Sequence, residues 1–392
     1  MKEANVYNNA GYKVTVYGLW YTEEILNNDL SLLDSGIVYK AGIDLRAWSS
    51  FRSVYIRLKR RISRQMVKMW GINSIGALGY DYKNYLLKLK SERSDLYIGH
   101  EEMSMALSKD LIETGHHVIF DFEDWHSKDL MPKDRRYRPL KLLEHLEAFL
   151  LKKACYCYTT SHAMSKALAS YYEVSRPRVI YNSFRTSERQ HMDSRFVDRT
   201  DKDLPSLFWF SQVISAGRGL ELLFKALSLC NQPCQLHLRG SITDVYREHL
   251  EQKCPQHVNL YIHDLVHKSE LISRIKEHDI GIAFEDDTPE NKDLTISNKI
   301  FHYLQSGIAI LATRTKGQAE IHERCPQAVA LVDRDARKIS KKLESILEQA
   351  QTIQLMKEAS LSGGEHPFSY ELMEVKLKEW AHNFFESKNR TS

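Results

Sequence analysis

Short apolar runs rich in β-branched and aromatic residues alternate with amphipathic stretches along the chain. Roughly 10 to 20 residues of helical periodicity separate most of these runs. In residues 102–115, for example, Met103, Leu107 and Leu111 fall on one helical face and Gly115 closes the segment. This alternation predicts an α/β protein in which helices cover both faces of parallel sheets. The predicted strands lie near residues 12–18, 35–40, 95–100, 116–122, 155–160, 177–182, 206–212, 235–240, 258–263, 279–285, 308–313 and 328–332.

One segment interrupts the alternation. Residues 183–205 are dense in charge and poor in apolar periodicity, and we interpret them as the linker between two domains of about six strands each. The predicted parts are a first domain over residues 1–190, a second domain over 204–365, and a C-terminal helix within 366–392 that packs on or near the first domain.

Length and composition are typical of a globular protein of this kind. A chain of 392 residues exceeds one ordinary core, so two doubly wound domains facing a central cleft are expected. No run approaches about 18 apolar residues, and residues 1–13 lack the apolar core of a signal peptide. We therefore expect a cytoplasmic protein. The net charge of only +4 argues against nucleic acid as a partner.

The six cysteines are best explained as reduced, mostly buried thiols. Cys230 and Cys234 have a spacing that zinc sites use, but no second tight Cys/His pair accompanies them. A zinc site at these two cysteines is therefore the less favoured alternative.

Residues 294–313 place a polar turn at the start of a helix, just before a buried strand. Ser297 is a candidate N-cap, with Asn298 and Lys299 in the first turn. Unpaired N–H groups at a helix start attract anions, and Lys299 adds a full charge. A plain surface helix with a capping serine is the simpler alternative.

Several stretches together resemble family 4 glycosyltransferases of the GT-B fold. In the second half these are SQVISAGRGLELLFKAL, SRIKEHDIGIAFE, NKIFHYLQSGIAILAT and GQAEI, and in the first half DLYIGH and SHAMSKALASYYEVSRPRVIYNSF. The resemblance implies two Rossmann-like domains, a nucleotide-sugar donor held by the second, and transfer with retention without a metal or other cofactor.

The resemblance also implies roles for residues of the second domain. The two basic positions that hold the donor diphosphate fall on Gln212 and Arg218, and only Arg218 keeps the charge. Gly219 would let the backbone approach a phosphate. A glutamate position falls on His302, which either faces the nucleotide or packs between aromatic side chains. We expect Glu285 to take over a polar contact to the sugar or ribose.

The start of the chain departs from the family pattern. Residues 1–18 are similar to the family's first helix and second strand, so the family's first strand and its glycine-bearing loop are expected to be missing.

The candidates on the acceptor side are His100, Asp121, Glu123 and Asp124, all at predicted strand ends. Glu123 or Asp124 would orient an acceptor hydroxyl. The alternative is an acid-rich helix N-terminus, which the helix dipole favours.

Residues 51–70 hold seven cationic side chains and no acid, with Leu58, Ile62, Met66 and Met69 at helical spacing. We interpret them as a surface helix whose apolar stripe faces the core and whose basic face is solvated. The alternative is an amphipathic helix on an anionic membrane surface, peripheral on its inner face. Nucleic acid is disfavoured because the basic cluster lacks aromatic residues.

The sequence as a whole predicts a retaining GT-B glycosyltransferase of the hexosyltransferase type. The donor is a nucleotide-sugar and the acceptor a glycan or lipid-linked molecule, as in bacterial surface polysaccharide synthesis. A non-catalytic or scaffolding member of the fold is one alternative, because of Gln212, His302 and the missing strand. A nucleotide-sugar epimerase is a second alternative.

Overall fold

The computed structural model describes residues 1–391, with side chains described through residue 388. Every predicted strand is confirmed, and the described chain contains no others. The strands are β1 Thr15–Trp20, β2 Val38–Asp44, β3 Tyr97–Gly99, β4 Val118–Phe122, β5 Tyr156–Thr159, β6 Arg178–Val179, β7 Ser206–Val213, β8 Cys234–Ser241, β9 Val258–His263, β10 Ile280–Ala283, β11 Ala309–Thr313 and β12 Val329–Val332. The helices of the first half are α1 Lys2–Asn9, α2 Glu23–Ser31, α3 Phe51–Trp70, α4 Ile75–Leu78, α5 Tyr82–Glu92, α6 Glu101–Glu113, α7 Pro132–Arg135, α8 Leu140–Lys153 and α9 His162–Tyr172. Those of the second half are α10 Leu220–Leu227, α11 Asp244–Lys253, α12 Lys268–Lys276, α13 Glu290–Leu294, α14 Asn298–Ser306, α15 Lys316–Arg324, α16 Ala336–Leu347, α17 Ala350–Glu365 and α18 Tyr370–Thr391.

The chain forms two compact units that exchange segments. The first unit contains Met1–Thr159, Ser165–Ile180 and Met373–Ser392. The second contains Thr160–Met164 and Tyr181–Leu372. The final helix α18 therefore contributes most of its length to the first unit, where Trp380 packs against Tyr156 with ring centroids 5.8 Å apart.

All strands in both units pair in parallel. The first unit has a four-stranded sheet in the order β3-β4-β5-β6 and a separate pair, β1-β2. The second unit has one sheet in the order β12-β11-β10-β7-β8-β9. In that sheet β7, the first strand in the chain, is flanked by β8 on one side and β10 on the other, which is the doubly wound arrangement.

The charged segment 183–205 differs from the expected linker. It packs within the second unit, because its charges have partners there. The Arg199 guanidinium lies 2.8 Å from Asp279 and donates to the carbonyl of Glu277 at 3.1 Å. Asp198 accepts a hydrogen bond from buried Arg239. Several of the charged side chains in this segment are therefore paired within the second unit.

The interpretation of residues 51–70 was wrong about the direction of the apolar stripe. The segment does form one helix, α3, but Leu58, Ile62 and Met69 are exposed. The buried face instead carries Ile56 and Val67 together with two serines. Periodicity identified the residues that share a face but not which face meets the core. No helix within residues 1–391 is long and apolar enough to cross a membrane.

Candidate functional site

The candidate donor site lies in the second unit, where the strand order reverses between β7 and β10. The two strands pair in parallel through Leu207 with Ile280 and Phe208 with Gly281. Their carboxyl ends therefore reach the same edge of the sheet. Loops that follow two strands at such a switch point surround the site where doubly wound sheets bind ligands.

The loop after β7 presents Arg218. Its guanidinium is exposed and donates to the hydroxyls of Ser211, at 3.1 Å, and Ser215, at 3.3 Å. Gly219 follows with φ +82°, and a Cβ there would stand 2.8 Å from the carbonyl oxygen of Phe284. A glycine is therefore needed, and the close approach joins this loop to the residue that precedes Glu285.

The Glu285 carboxylate joins the loop after β10 to the start of α14. One of its oxygens accepts from the Ser297 hydroxyl at 2.9 Å and from the Lys299 ammonium at 3.2 Å. The Lys299 ammonium also lies 5.6 Å from the ring centre of Trp209. The backbone N–H of Glu285 donates to the Thr313 hydroxyl at 2.8 Å. These contacts hold a cation and a carboxylate side by side at the edge of the sheet.

The start of α14 is open to an anion. Ser297 occupies the N-cap position, but its side chain makes no capping hydrogen bond, and its hydroxyl instead donates to Glu285. Asn298 is exposed and begins the helix. The first-turn N–H groups of α14 therefore have no side-chain cap. Together with the positive end of the helix dipole, they favour a negative charge at this end of the helix.

The remaining two predicted donor residues are placed differently from the others. His302 packs against Phe184, with ring centroids 4.0 Å apart, and against Phe210, at 5.3 Å. Gln212 is exposed near the end of β7, and its carbonyl accepts from the Ser241 hydroxyl at 2.9 Å. Ser211, near the end of β7, and Ser215, in the loop that follows, contact Arg218, whereas Gln212 does not.

Glu320, in the motif GQAEI, binds two short segments of the second unit. Its carboxylate accepts from the backbone N–H of His162 at 2.8 Å and from the Tyr181 hydroxyl. Ser161 accepts from the N–H of Met164 at 3.0 Å and so caps α9. These contacts fasten short segments to the second unit and have no evident chemical role.

The first unit carries a second candidate cluster around His100, which follows β3. Its Nε2 lies 3.1 Å from a carboxylate oxygen of Glu3, and its Nδ1 lies 3.3 Å from Asp121 and 3.6 Å from Glu123. Tyr158 donates a hydrogen bond to Glu3. The sequence predicted His100, Asp121 and Glu123 from their strand ends. It missed Glu3, because no local pattern links the first helix to a strand end about a hundred residues away.

Contacts within the cluster determine the protonation of its histidine and carboxylates. Burial disfavours a charged imidazole, but hydrogen bonds with Asp121, Glu123 and Glu3 outweigh it and raise the pKa of His100 well above its usual value. Burial raises the pKa of Asp121 to about 7 against the opposing effect of His100. The hydrogen bond with His100 lowers the pKa of Glu123. His100 is therefore an imidazolium that holds Glu123 in its ionised form.

The ligand atoms of Glu3, His100 and Asp121 lie within 4.8 Å of one another, close enough for a metal ion. However, Glu3 and Asp121 approach opposite nitrogens of the imidazole ring. A single ion bound to one ring nitrogen would leave the other carboxylate behind the ring. The geometry therefore fits a proton on each nitrogen better than a metal.

A buried carboxylate anchors the loop that carries Glu123 and Asp124. Glu147 accepts from the N–H and hydroxyl of Ser127, at 2.9 and 2.7 Å, and from the indole of Trp125 at 3.2 Å. Burial raises the pKa of Glu147 against these hydrogen bonds. Its sequence position on α8 gave no sign of this role, because a lone glutamate on a helix is ordinarily solvated.

No family model matches the chain, and no curated protein matches it. Solved structures do. HepE of Anabaena, solved with UDP and glucose, is similar with a TM-score of 0.63 and 13% identity over 94% of this chain and 91% of that one. Sucrose-phosphate synthase of Thermosynechococcus elongatus gives 0.68 and 12% over 98% and 92%. WaaG, a glycosyltransferase involved in lipopolysaccharide biosynthesis, gives 0.63 and 13% over 96% and 93%. With its parallel sheets and near-complete coverage, the chain has the fold of GT-B glycosyltransferases.

Proposed function

We propose that the protein is a glycosyltransferase that moves a hexose-type sugar from a nucleotide-sugar to a glycan or lipid-linked acceptor. Bacterial surface polysaccharide synthesis is the proposed setting. One observation carries the proposal. Arg218, Lys299 and the uncapped start of α14 lie around one switch point, linked through the contacts of Gly219 and Glu285. In this proposal these groups bind the donor diphosphate, beside a hydrogen-bonding carboxylate.

In the proposed reaction Arg218 and Lys299 bind the donor diphosphate, and Asn298 presents the helix N–H groups to it. Gly219 lets the backbone approach a phosphate, and Glu285 binds a hydroxyl of the sugar or ribose. The bond between the anomeric carbon and the leaving phosphate breaks as the acceptor oxygen bonds to the same face of that carbon. The acceptor proton passes to the leaving phosphate, so the configuration is retained.

The fixed charges contribute by stabilising the departing diphosphate, a term that is often large in catalysis. The proposal assigns that work to side chains and the helix dipole, and therefore includes no metal. On the acceptor side, Glu123 and Asp124 orient the acceptor hydroxyl, while His100 positions Glu123 and keeps it ionised. The proposed location is the cytoplasm, at the inner face of the membrane.

A second candidate is a donor-binding protein that does not transfer. His302 favours it, because that side chain packs against Phe184 at the position where the family resemblance implies a glutamate. Both candidates bind the donor, and only the first turns it over.

Calorimetric titration with UDP, GDP and their sugar conjugates tests the proposal. We expect micromolar binding of one nucleotide, lost in Arg218→Ala and kept in Arg337→Ala, which removes an exposed arginine on α16. Nucleotide release from the bound sugar donor when acceptor extracts are added, unchanged by EDTA, would favour transfer over binding alone. Failure of every nucleotide to bind the wild-type protein would overturn the proposal.

A further inference from the structure

Helix α3 presents an apolar stripe to the exterior. Phe51 is 97% exposed, Leu58 52%, Ile62 50% and Met69 64%. They are spaced seven, four and seven residues apart, close to two, one and two turns of a helix with 3.6 residues per turn, so they lie along one side of α3. Trp70, 63% exposed, ends the helix beside this line. Apolar side chains in such a continuous row are a feature that soluble surfaces usually avoid.

Cationic side chains flank the stripe. Lys59 and Arg61 are exposed on either side of it, and no carboxylate pairs with them in the part of the chain that the structure describes. Lys68 lies on the same flank as Arg61, one to two turns further along. The helix contains no acidic residue. The exposed surface is therefore apolar along its centre and positive along both edges.

The body of the first unit fixes which face points outward. Ser50 caps α3 by accepting from Ser53 at 3.2 Å, and Gly71 closes it in the left-handed conformation. Arg57 turns inward, where its guanidinium donates to the Leu45 carbonyl at 2.9 Å and stacks 3.4 Å from the ring centre of Trp48. Rolling the helix to bury its stripe would break these contacts.

We propose that α3 lies flat in the interface of an anionic lipid bilayer, with Phe51, Leu58, Ile62 and Met69 in the acyl region and the flanking cations at the headgroups. Charge decides between occupants. A second copy packed stripe to stripe would bring two cationic edges together, whereas anionic headgroups neutralise them. A nucleic acid would meet the cations but leave the apolar centre in water.

Flotation with vesicles of phosphatidylcholine containing phosphatidylglycerol tests this inference without any sugar substrate. We expect wild-type protein to float with anionic vesicles and not with pure phosphatidylcholine. Lys59→Glu with Arg61→Glu should weaken binding by at least about tenfold, because each cation near the surface contributes roughly a fivefold gain. Leu58→Gln with Ile62→Gln should weaken it by at least about tenfold through lost insertion.

The matched controls are Lys83→Glu and Leu87→Gln, exposed on α5 of the same unit, which should leave binding unchanged. If Lys59→Glu with Arg61→Glu weakens vesicle binding but Leu58→Gln with Ile62→Gln does not, the protein only adsorbs electrostatically, and insertion would be overturned. Equal loss in the controls, or no binding to anionic vesicles, would overturn the membrane surface as partner. Dimerisation in lipid-free solution that Leu58→Gln with Ile62→Gln abolishes would assign the stripe to a second copy instead.

Discussion

Glu285 and Lys299 form an ion pair of 3.2 Å across the loop after β10 and the first turn of α14. The pair is partly buried, with 24% and 18% of the two side chains exposed. The same carboxylate accepts from the Ser297 hydroxyl, and the Ser297 side chain makes no capping hydrogen bond to α14. The ion pair therefore positions the Lys299 ammonium beside the uncapped start of α14, where an anion is favoured.

Removing Lys299 and removing Glu285 should have different effects on nucleotide binding and on sugar transfer. Lys299→Ala should weaken nucleoside diphosphate binding by about 10- to 100-fold, since a hydrogen bond to a charged group contributes about 1.5 to 3 kcal/mol. Glu285→Gln should leave that binding unchanged or slightly stronger but reduce sugar transfer. Calorimetry and a turnover assay on both variants check this. Weaker nucleoside diphosphate binding in Glu285→Gln would contradict a contact with the transferred sugar and would assign the carboxylate to the ribose instead.

Two glycines of the loop after β7 make a matched pair. Gly217 and Gly219 both have positive φ, +76° and +82°, but only Gly219 faces a backbone carbonyl that a Cβ would meet. Both alanine variants carry the strain of positive φ, about 1 to 2 kcal/mol. Gly219→Ala should lose substantially more stability and nucleotide affinity than Gly217→Ala. Urea unfolding and calorimetry measure both effects, and equal losses would mean that the contact with Phe284 is unimportant.

His100 should be charged at neutral pH. Its raised pKa means that the imidazolium persists above pH 7, and that its contribution to stability is complete below about pH 6.5 and declines as the pH rises through the raised value. Glu3→Gln removes one carboxylate and should lower the pKa of His100. Nitrogen-15 NMR of the histidine ring in both proteins reports the protonation directly. A neutral His100 at pH 7 in the wild-type protein would refute the cluster's charge state.

The second unit should lose stability in mild acid. Burial, followed by the neighbouring histidines and arginines, lowers the pKa of His237 to about 3 and that of His278 well below its usual value. Both rings are therefore neutral in the fold but bind protons when unfolded, so stability falls as the pH drops below about 6.5, by up to about 1.4 kcal/mol per pH unit for each ring.

The variant His278→Leu tests this acid sensitivity, since both ring nitrogens of His278 lack hydrogen-bond partners in the part of the chain that the structure describes. It should flatten the pH dependence of urea unfolding by about one proton. His382→Leu, on the exposed surface of α18, is the control and should not. An unchanged slope in His278→Leu would show that this ring does not take up the proton.

The strands were predictable because apolar runs in parallel sheets are continuous and their flanks are polar. The donor residues were partly predictable for a related reason. Arg218 and Lys299 are charged residues beside glycine or a helix start, a local pattern with a physical meaning. Ser211 was missed, since a serine near the end of a strand carries no signal until the chain folds Arg218 back onto it.

Other misses arose from interactions distant in sequence. Glu3 reaches His100 only after the fold brings α1 to the end of β3. The buried face of α3 was predicted wrongly because its sequence pattern alone does not show that Arg57 and two serines lie on the inner face. Local periodicity determines the secondary structure, and neighbours distant in sequence determine which side of it is buried.

The exchange of segments between the two units also constrains how the protein is made. The first unit includes the segment that begins at Met373, so its packing around Tyr156 and Trp380 is incomplete until that segment has been made. During translation the second unit, complete by residue 372, can fold before the unit that precedes it. A nascent chain that has not yet reached Met373 would therefore leave the aromatic surface of β5 uncovered, a target for chaperones and proteases.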